Sequence, residues 1–219
     1  MRNWSRVGIS YDVETPADTR VRVNTGSGSI EVSGVRGPAN LSTGSGSITA
    51  ERIGNGVDTR TGSGSIRVNG ADGAVSGSTG SGGITVSNAS GDVTVTTGSG
   101  SLRVASPGGA VRARTGSGGI QVEGASRDLD LHAGSGSLRV DGNPGTARWR
   151  LETGSGGVNV QLPRQSSFEL DAHSGSGGVR TNHSLTNQGA TRRGELKGIA
   201  GNGVAQLYIR TGSGSIQVD

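Results

Sequence analysis

The chain has 219 residues, enough for a domain with a real core, yet apolar residues make up only 29% of it and 43 positions are glycine. That scarcity excludes a conventional globule, while a formal charge of only +4 and regularly spaced apolar residues argue against simple disorder. Cysteine is absent, which excludes disulfides and thiolate metal sites, and the basic residues are almost all Arg, with Lys197 the single lysine.

Residues 1–24 read as N-terminal strands or a cap, with a first strand over residues 7–13. The opening stretch Met1-Arg2-Asn3-Trp4-Ser5-Arg6 lacks the apolar run of a signal peptide, and no segment approaches the roughly 18 apolar residues of a membrane helix.

From Thr25 onward one phrase returns, in its purest form TGSGSI at residues 61–66. Thr25, Thr43, Thr61, Thr79, Thr97, Thr115 and Ala133 open successive copies at a constant 18-residue step, and longer steps lead to Thr153, Ser174 and Thr211. Self-similarity at such a period is the mark of a solenoid. Within a unit, Ile84 and Val86 alternate with polar neighbours, as do Val93 and Val95, and Gly-rich turns separate the two runs. That is strand periodicity, two short strands per unit, and no apolar spacing of three and four predicts a helix.

Aligned units give apolar columns: Ile30 to Leu138, Val32 to Val140, and Ala39 to Leu129, each at 18-residue steps. The expected fold is therefore all-β, a single-stranded parallel β-helix of about ten 18-residue coils, whose columns stack into buried ladders. Residues 1–219 are read as one β-solenoid domain, with regular repeats over 25–152 and widened coils over 153–219. The Thr of each phrase shares the parity of the inward Val and is expected to point inward or line the corner.

A second regularity has a 36-residue period: SIRV, GITV, SLRV, GIQV, SLRV and GVNV follow one another from residue 65 to residue 160. Coils holding two phrases each would stack Arg67, Arg103 and Arg139 directly on one another, which is unfavourable. Coils holding a single phrase interleave them with Thr85 and Gln121, and that register is expected. Toward the C-terminus Trp149, Leu162, Phe168 and Leu170 add bulk, and residues 182–203, with Arg192 and Arg193, read as an insertion suited to covering an open edge. The last strand, from Ile216, is expected to lie uncovered, so that end-to-end self-association through open β-helix ends becomes possible.

The phrase itself is not a phosphate loop, because it lacks G-x-x-x-x-G-K-[ST] and leads into a strand. Nor does it fit a nucleophile elbow or a calcium-binding roll, since Ile or Leu stands where a ligand carboxylate would be needed. His132, His173 and His183 have no metal-ligand spacing, and Asp128 and Asp130, which flank Leu129, are explained by alternation. No catalytic, cofactor-binding or metal residue is assigned. Arg112 and Arg114 share one outward strand face, and with Arg67, Arg103 and Arg139 they are the candidate surface-contact residues. Five aromatic residues outside a repeat are too few for a nucleic-acid stacking platform.

The order of Ile9-Ser10-Tyr11-Asp12-Val13-Glu14-Thr15-Pro16, Val21-Arg22-Val23, the repeated TGSGSI, Leu162-Pro163, Phe168-Glu169-Leu170-Asp171 and Leu207-Tyr208-Ile209-Arg210-Thr211-Gly212-Ser213-Gly214 resembles the bacterial DUF4097 proteins, described as adhesins with β-strand repeats. More distantly it resembles the GIN-type adhesin-head family. The resemblance implies a β-solenoid, often exported or membrane-associated, with no established enzymatic activity. The expected function is that of a non-catalytic structural or interaction module, adhesin-like and located in the cell envelope or outside the cell, although this chain shows no signal peptide. The partner expected is a cell-surface polymer or protein, not nucleic acid. Alternatives are a polysaccharide-active β-helix enzyme and a polyanion-binding surface protein.

Overall fold

The computed structural model describes residues 10–186 and 194–219, which form strands and turns with no helix among them. In chain order the first strands are β1 Val21–Thr25, β2 Ile30–Ser33, β3 Ala39–Thr43, β4 Ile48–Ile53, β5 Val57–Thr61, β6 Ile66–Ala71 and β7 Val75–Thr79. There follow β8 Ile84–Ala89, β9 Val93–Thr97, β10 Leu102–Ala105, β11 Val111–Thr115, β12 Ile120–Ala125, β13 Leu129–Ala133 and β14 Leu138–Gly142. The last seven are β15 Arg148–Thr153, β16 Val158–Gln161, β17 Phe168–Ser174, β18 Val179–Thr181, β19 Glu195–Ala200, β20 Ala205–Thr211 and β21 Ile216–Val218.

Odd-numbered strands through β15 stack in parallel into one sheet, here sheet A, and even-numbered strands through β16 into a second, sheet B. Register confirms the single-phrase coil: Leu102 pairs with Ile84 on one side and Ile120 on the other, and Arg103 lies between Thr85 and Gln121. The arginines are thus interleaved with neutral residues, as the sequence requires. Both sheets alternate buried and exposed residues, and their inward columns form one core in which Ile48, Ile66, Ile84, Leu102, Ile120 and Leu138 are each at most 1% exposed. Each rung buries its apolar face against its neighbours, so the ladder has no stable single unit.

The TGSG corner holds the rungs in phase. Thr61 is buried, and its hydroxyl donates to the Gly46 carbonyl of the previous coil (2.8 Å) while accepting from the Gly64 amide of its own turn (3.1 Å). Thr43, Thr79, Thr97 and Thr115 repeat the pair. A Cβ on Gly64 or Gly118 would lie far inside contact with the carbonyl oxygen of Gly46 or Gly100 one coil away. Close coil-to-coil approach, not a left-handed backbone, is what demands glycine here. Left-handed residues occupy the opposite corner, where Gly34, Arg52, Gly70, Asn88, Ser106 and Gly124 recur once per coil with φ of 51 to 76°.

Two expectations for the ends are corrected. Residues 7–9 lie outside the described residues, and residues 10–20 contain a turn but no strand. That segment does not add to the open edge of β1 or β2; it is tied down by an Arg36 amide bond to the Ala17 carbonyl (2.7 Å) and an Arg36–Asp18 ion pair (2.9 Å). At the other end, the final strand is not uncovered. Sheet A runs β15-β20-β17-β19 and sheet B runs β16-β21-β18, so β20 and β21 slot between the eighth turn and the rung formed earlier in the chain by β17 and β18. The Thr ladder follows this spatial order, with Thr211 donating to Gly156 (2.8 Å) and Ser174 donating to Gly214 (2.6 Å). Strand β19, from the insertion, runs antiparallel along β17 and ends the parallel stack. Arg192 and Arg193 lie outside the described residues.

Ala133 is the one position of the regular series that lacks the hydroxyl, so Ala133→Thr is expected to raise stability by about 1 kcal/mol, and Thr97→Val to lower it by about 1–3 kcal/mol, in denaturant melts. Gly118→Ala is expected to cost about 1–3 kcal/mol, against a change within about 0.5 kcal/mol for exposed Ser117→Ala. Deleting residues 212–219 removes the carbonyls of Ser215 and Asp219 that accept from the Val158 and Leu162 amides. Hydrogen exchange at those two amides is expected to accelerate, and unchanged protection would contradict the intercalated order.

Candidate functional site

The two outward faces differ in how their charges are used. On sheet A, cross-strand register brings Arg112 and Arg114 beside Asp130, which both reach at 3.4 Å. Arg150 pairs with Glu152 (2.8 Å), Lys197 and Arg210 share Asp171 (3.2 and 3.0 Å), and His173 faces Glu195 at 3.2 Å. Tyr208 lies under Arg210 at 4.3 Å and beside Arg150 at 5.6 Å. The Arg150 guanidinium is held above its ordinary pKa by its hydrogen bond to Glu152 and by that carboxylate's charge. For exposed pairs such a lattice contributes little stability per contact, but it engages the charges of this face with one another, apart from Arg22 and from Arg148, whose guanidinium donates to Gln206 (2.9 Å).

Within this arrangement the candidate carboxylate pair is divided. Asp130 is engaged by the two arginines, and Asp128 Oδ1 accepts from the Arg148 amide of the next coil (2.8 Å). The histidines are also separate from one another: His132 lies 3.7 Å from Glu152, and the His183 ring meets Phe168 edge-on at 5.1 Å. Among the described residues no three His, Asp or Glu side chains are placed to hold a metal ion.

Sheet B carries the other three candidate residues. Arg67, Arg103 and Arg139 are exposed on β6, β10 and β14, two rungs apart, while Arg112 and Arg114 stand on the opposite sheet. The five arginines therefore do not form one stripe. Alongside the sheet B column runs an open groove of about 700 Å³ crossing the rungs from Thr85 to Gln217, with Arg103, Gln121, Arg139 and Asn159 between them. Its edge nearest the TGSG corner is made of Ser101, Gly119, Ser137, Gly157 and Ser215. Arg103 is paired with Glu123 (2.6 Å), which also accepts from Gln121 (2.7 Å). Arg67 and Arg139 have no carboxylate within ion-pair distance among the described residues. In the next outward column stand the acids Glu51, Glu123 and Asp141.

Sequence reasoning found the arginine column but not the whole groove. Gln217 and Arg180 continue the column directly beyond Asn159, because β21 pairs with β16 and with β18. In chain order Arg180 precedes Gln217 by a long insertion, so no local signal joins them.

A parallel two-sheet β-solenoid with an ion-paired face and a grooved face defines the class of protein. The family model described as Toastrack DUF4097 matches residues 13–219, and the chain belongs to that family. Comparisons with curated proteins and with solved structures give no match.

Proposed function

We propose that the chain is a non-catalytic interaction module of the cell envelope, adhesin-like, that holds an elongated partner along the groove of sheet B. The observation that carries this reading is the asymmetry of the two faces. On sheet A, apart from Arg22 and Arg148, the arginines are engaged by carboxylates, whereas on sheet B Arg67 and Arg139 have no acidic partner among the described residues and Arg139 borders an open groove. A stiff ladder also suits the role: with the coils locked by backbone and Thr hydrogen bonds, side chains on successive rungs are presented at fixed spacing, which lowers the ordering cost of binding. The distant resemblance to adhesin heads points the same way.

Retention of the purified protein on isolated cell-envelope polymers tests the reading. The variant Arg67→Gln/Arg103→Gln/Arg139→Gln is expected to lose about tenfold or more in affinity, since charge-assisted hydrogen bonds are worth about 1.5–3 kcal/mol each. The variant Arg112→Gln/Arg114→Gln on sheet A is expected to bind as the parent does. Equal losses in both variants, or retention unaffected by either, would reject sheet B as the binding face.

A further inference from the structure

We propose that the sheet B groove reads a linear acidic polysaccharide with one carboxylate on every second sugar, lying along the solenoid axis. The proposal rests on the interaction-module reading above and adds the chemistry of the partner.

The argument begins with two periods that disagree. The fold repeats every rung: core columns, Thr hydroxyls and stacked corner glycines are all satisfied once per coil. The groove repeats every second rung. Its corner-side edge alternates Ser and Gly, and the backbone ladder fixes the order in space: Ile66 donates to Gly83, Ile84 to Ser101, Leu102 to Gly119, Ile120 to Ser137, Leu138 to Gly157, Val158 to Ser215 and Ile216 to Gly178. With Ser65 at its start, this row alternates without a break over eight rungs. In chain order the same residues end Gly157, Gly178, Ser215, and the alternation fails.

Duplication of a two-phrase unit would give the alternation from Ser65 to Gly157, where chain and spatial order agree, but not its continuation through Ser215 and Gly178, and it would mark both faces. On sheet A the matching outward column reads Asp58, Ser76, Thr94, Arg112, Asp130, Arg150, with no two-rung repeat. Packing does not demand it either. A Cβ at Gly83 or Gly119 would meet the Ser101 or Ser137 carbonyl at 3.2 Å, tight but without the overlap found at the corner glycines, and the serines of alternate rungs carry a Cβ at the equivalent position. The two-rung period therefore belongs to the surface and matches something outside the fold.

Arg67, Arg103 and Arg139 share this period over the regular rungs, about 9.6 Å at ordinary strand spacing, with Thr85 and Gln121 between them; the charge period ends there, since Glu31 lies two rungs before Arg67 and Gln217 two rungs beyond Arg139. A disaccharide of an extended β-linked chain is comparable in length. One acid per disaccharide would meet each of the three arginines, while Thr85 and Gln121, on rungs whose corner-side edge is Gly83 and Gly119, face the neutral sugar. Two strand residues span only about 6.6–6.8 Å and do not match. B-DNA carries a charge about every 1.7 Å, and the neighbouring acids Glu51, Glu123 and Asp141 disfavour so dense a polyanion. A polyproline helix repeats at about 9.3 Å, but its recognition relies on aromatic-lined grooves, and no aromatic residue lines this one.

Calorimetry with defined polymers tests the proposal. The probes are hyaluronan and unsulfated chondroitin fragments, which alternate acidic and neutral sugars, carboxyl-reduced hyaluronan, polygalacturonate, heparin and a (Pro-Pro-Glu)n peptide. Binding to at least one alternating polymer is expected, about tenfold tighter than to the other probes, the energy of one charge-assisted contact. Arg139→Gln is expected to weaken it more than Arg103→Gln, because Arg103 already shares Glu123. Thr85→Arg/Gln121→Arg, which places a cation on every rung, is expected to shift preference toward polygalacturonate, with its melting curve checking that the fold persists. No binding to either alternating polymer, undiminished binding to the carboxyl-reduced form, equal or tighter binding of the peptide, or unchanged preference in the Arg-added variant would overturn the proposal. If envelope polymers still depend on sheet B and not on sheet A while any of these occurs, the assigned polymer chemistry is wrong and the interaction-module reading stands.

Discussion

The structure depends on one contact repeated from coil to coil: the carbonyl of a corner glycine sits directly against the Cα of the equivalent glycine in the next coil, and a buried Thr hydroxyl ties the two turns together. That contact leaves no room for a side chain, which is why the phrase scarcely varies. It also sets every other alignment. Once the corners are superposed, each strand has only one register in which its inward residues fall on the columns above and below, and a slip by one residue would turn the apolar set outward.

From that alignment follows a division of labour among side chains. Inward positions carry the apolar ladder, the corner carries backbone-satisfying Thr, and only the outward residues are free to vary. On sheet A that freedom is used for cross-strand pairs of opposite charge, as at Arg112, Asp130 and Arg150, which suits residues stacked at strand spacing where like charges repel. On sheet B it leaves a groove whose arginines, Arg103 and Arg139, stand two rungs apart. Rigidity and chemistry are thus assigned to different atoms, so the surface can change without disturbing the core.

The C-terminal region shows what such regularity permits. Because every corner presents the same glycine and hydroxyl pattern, a later copy can occupy a place between two earlier ones, and β20 with β21 does so. Bulk accompanies the irregular end. Trp149, Phe168, Leu170, Leu207 and Ile209 fill the core around the exchanged rung, and Trp149 donates to the Arg127 carbonyl across the widened turn. The antiparallel β19 then closes the stack, which satisfies the backbone groups on that side of β17.

Most of the regular body was legible in the sequence. The constant repeat step, the columns from Ile30 to Leu138 and from Ala39 to Leu129, the inward Thr and the interleaving of Arg67, Thr85 and Arg103 all follow from period and parity, which are local properties of the chain. The same reasoning failed for residues 10–13, where alternation did not add a strand to the open edge of β1 or β2, and for Ile216, whose place at the end of the chain implied a place at the end of the stack. It also grouped Arg112 and Arg114 with residues on the other face. By itself, then, the sequence determined the coil, its corner and its core, because each is written in every repeat. The tertiary structure decided which arginines share a surface, where Arg180 and Gln217 fall, and which strand ends the rod, because identical corners make many stackings locally equivalent and only the packed core and its connections choose among them.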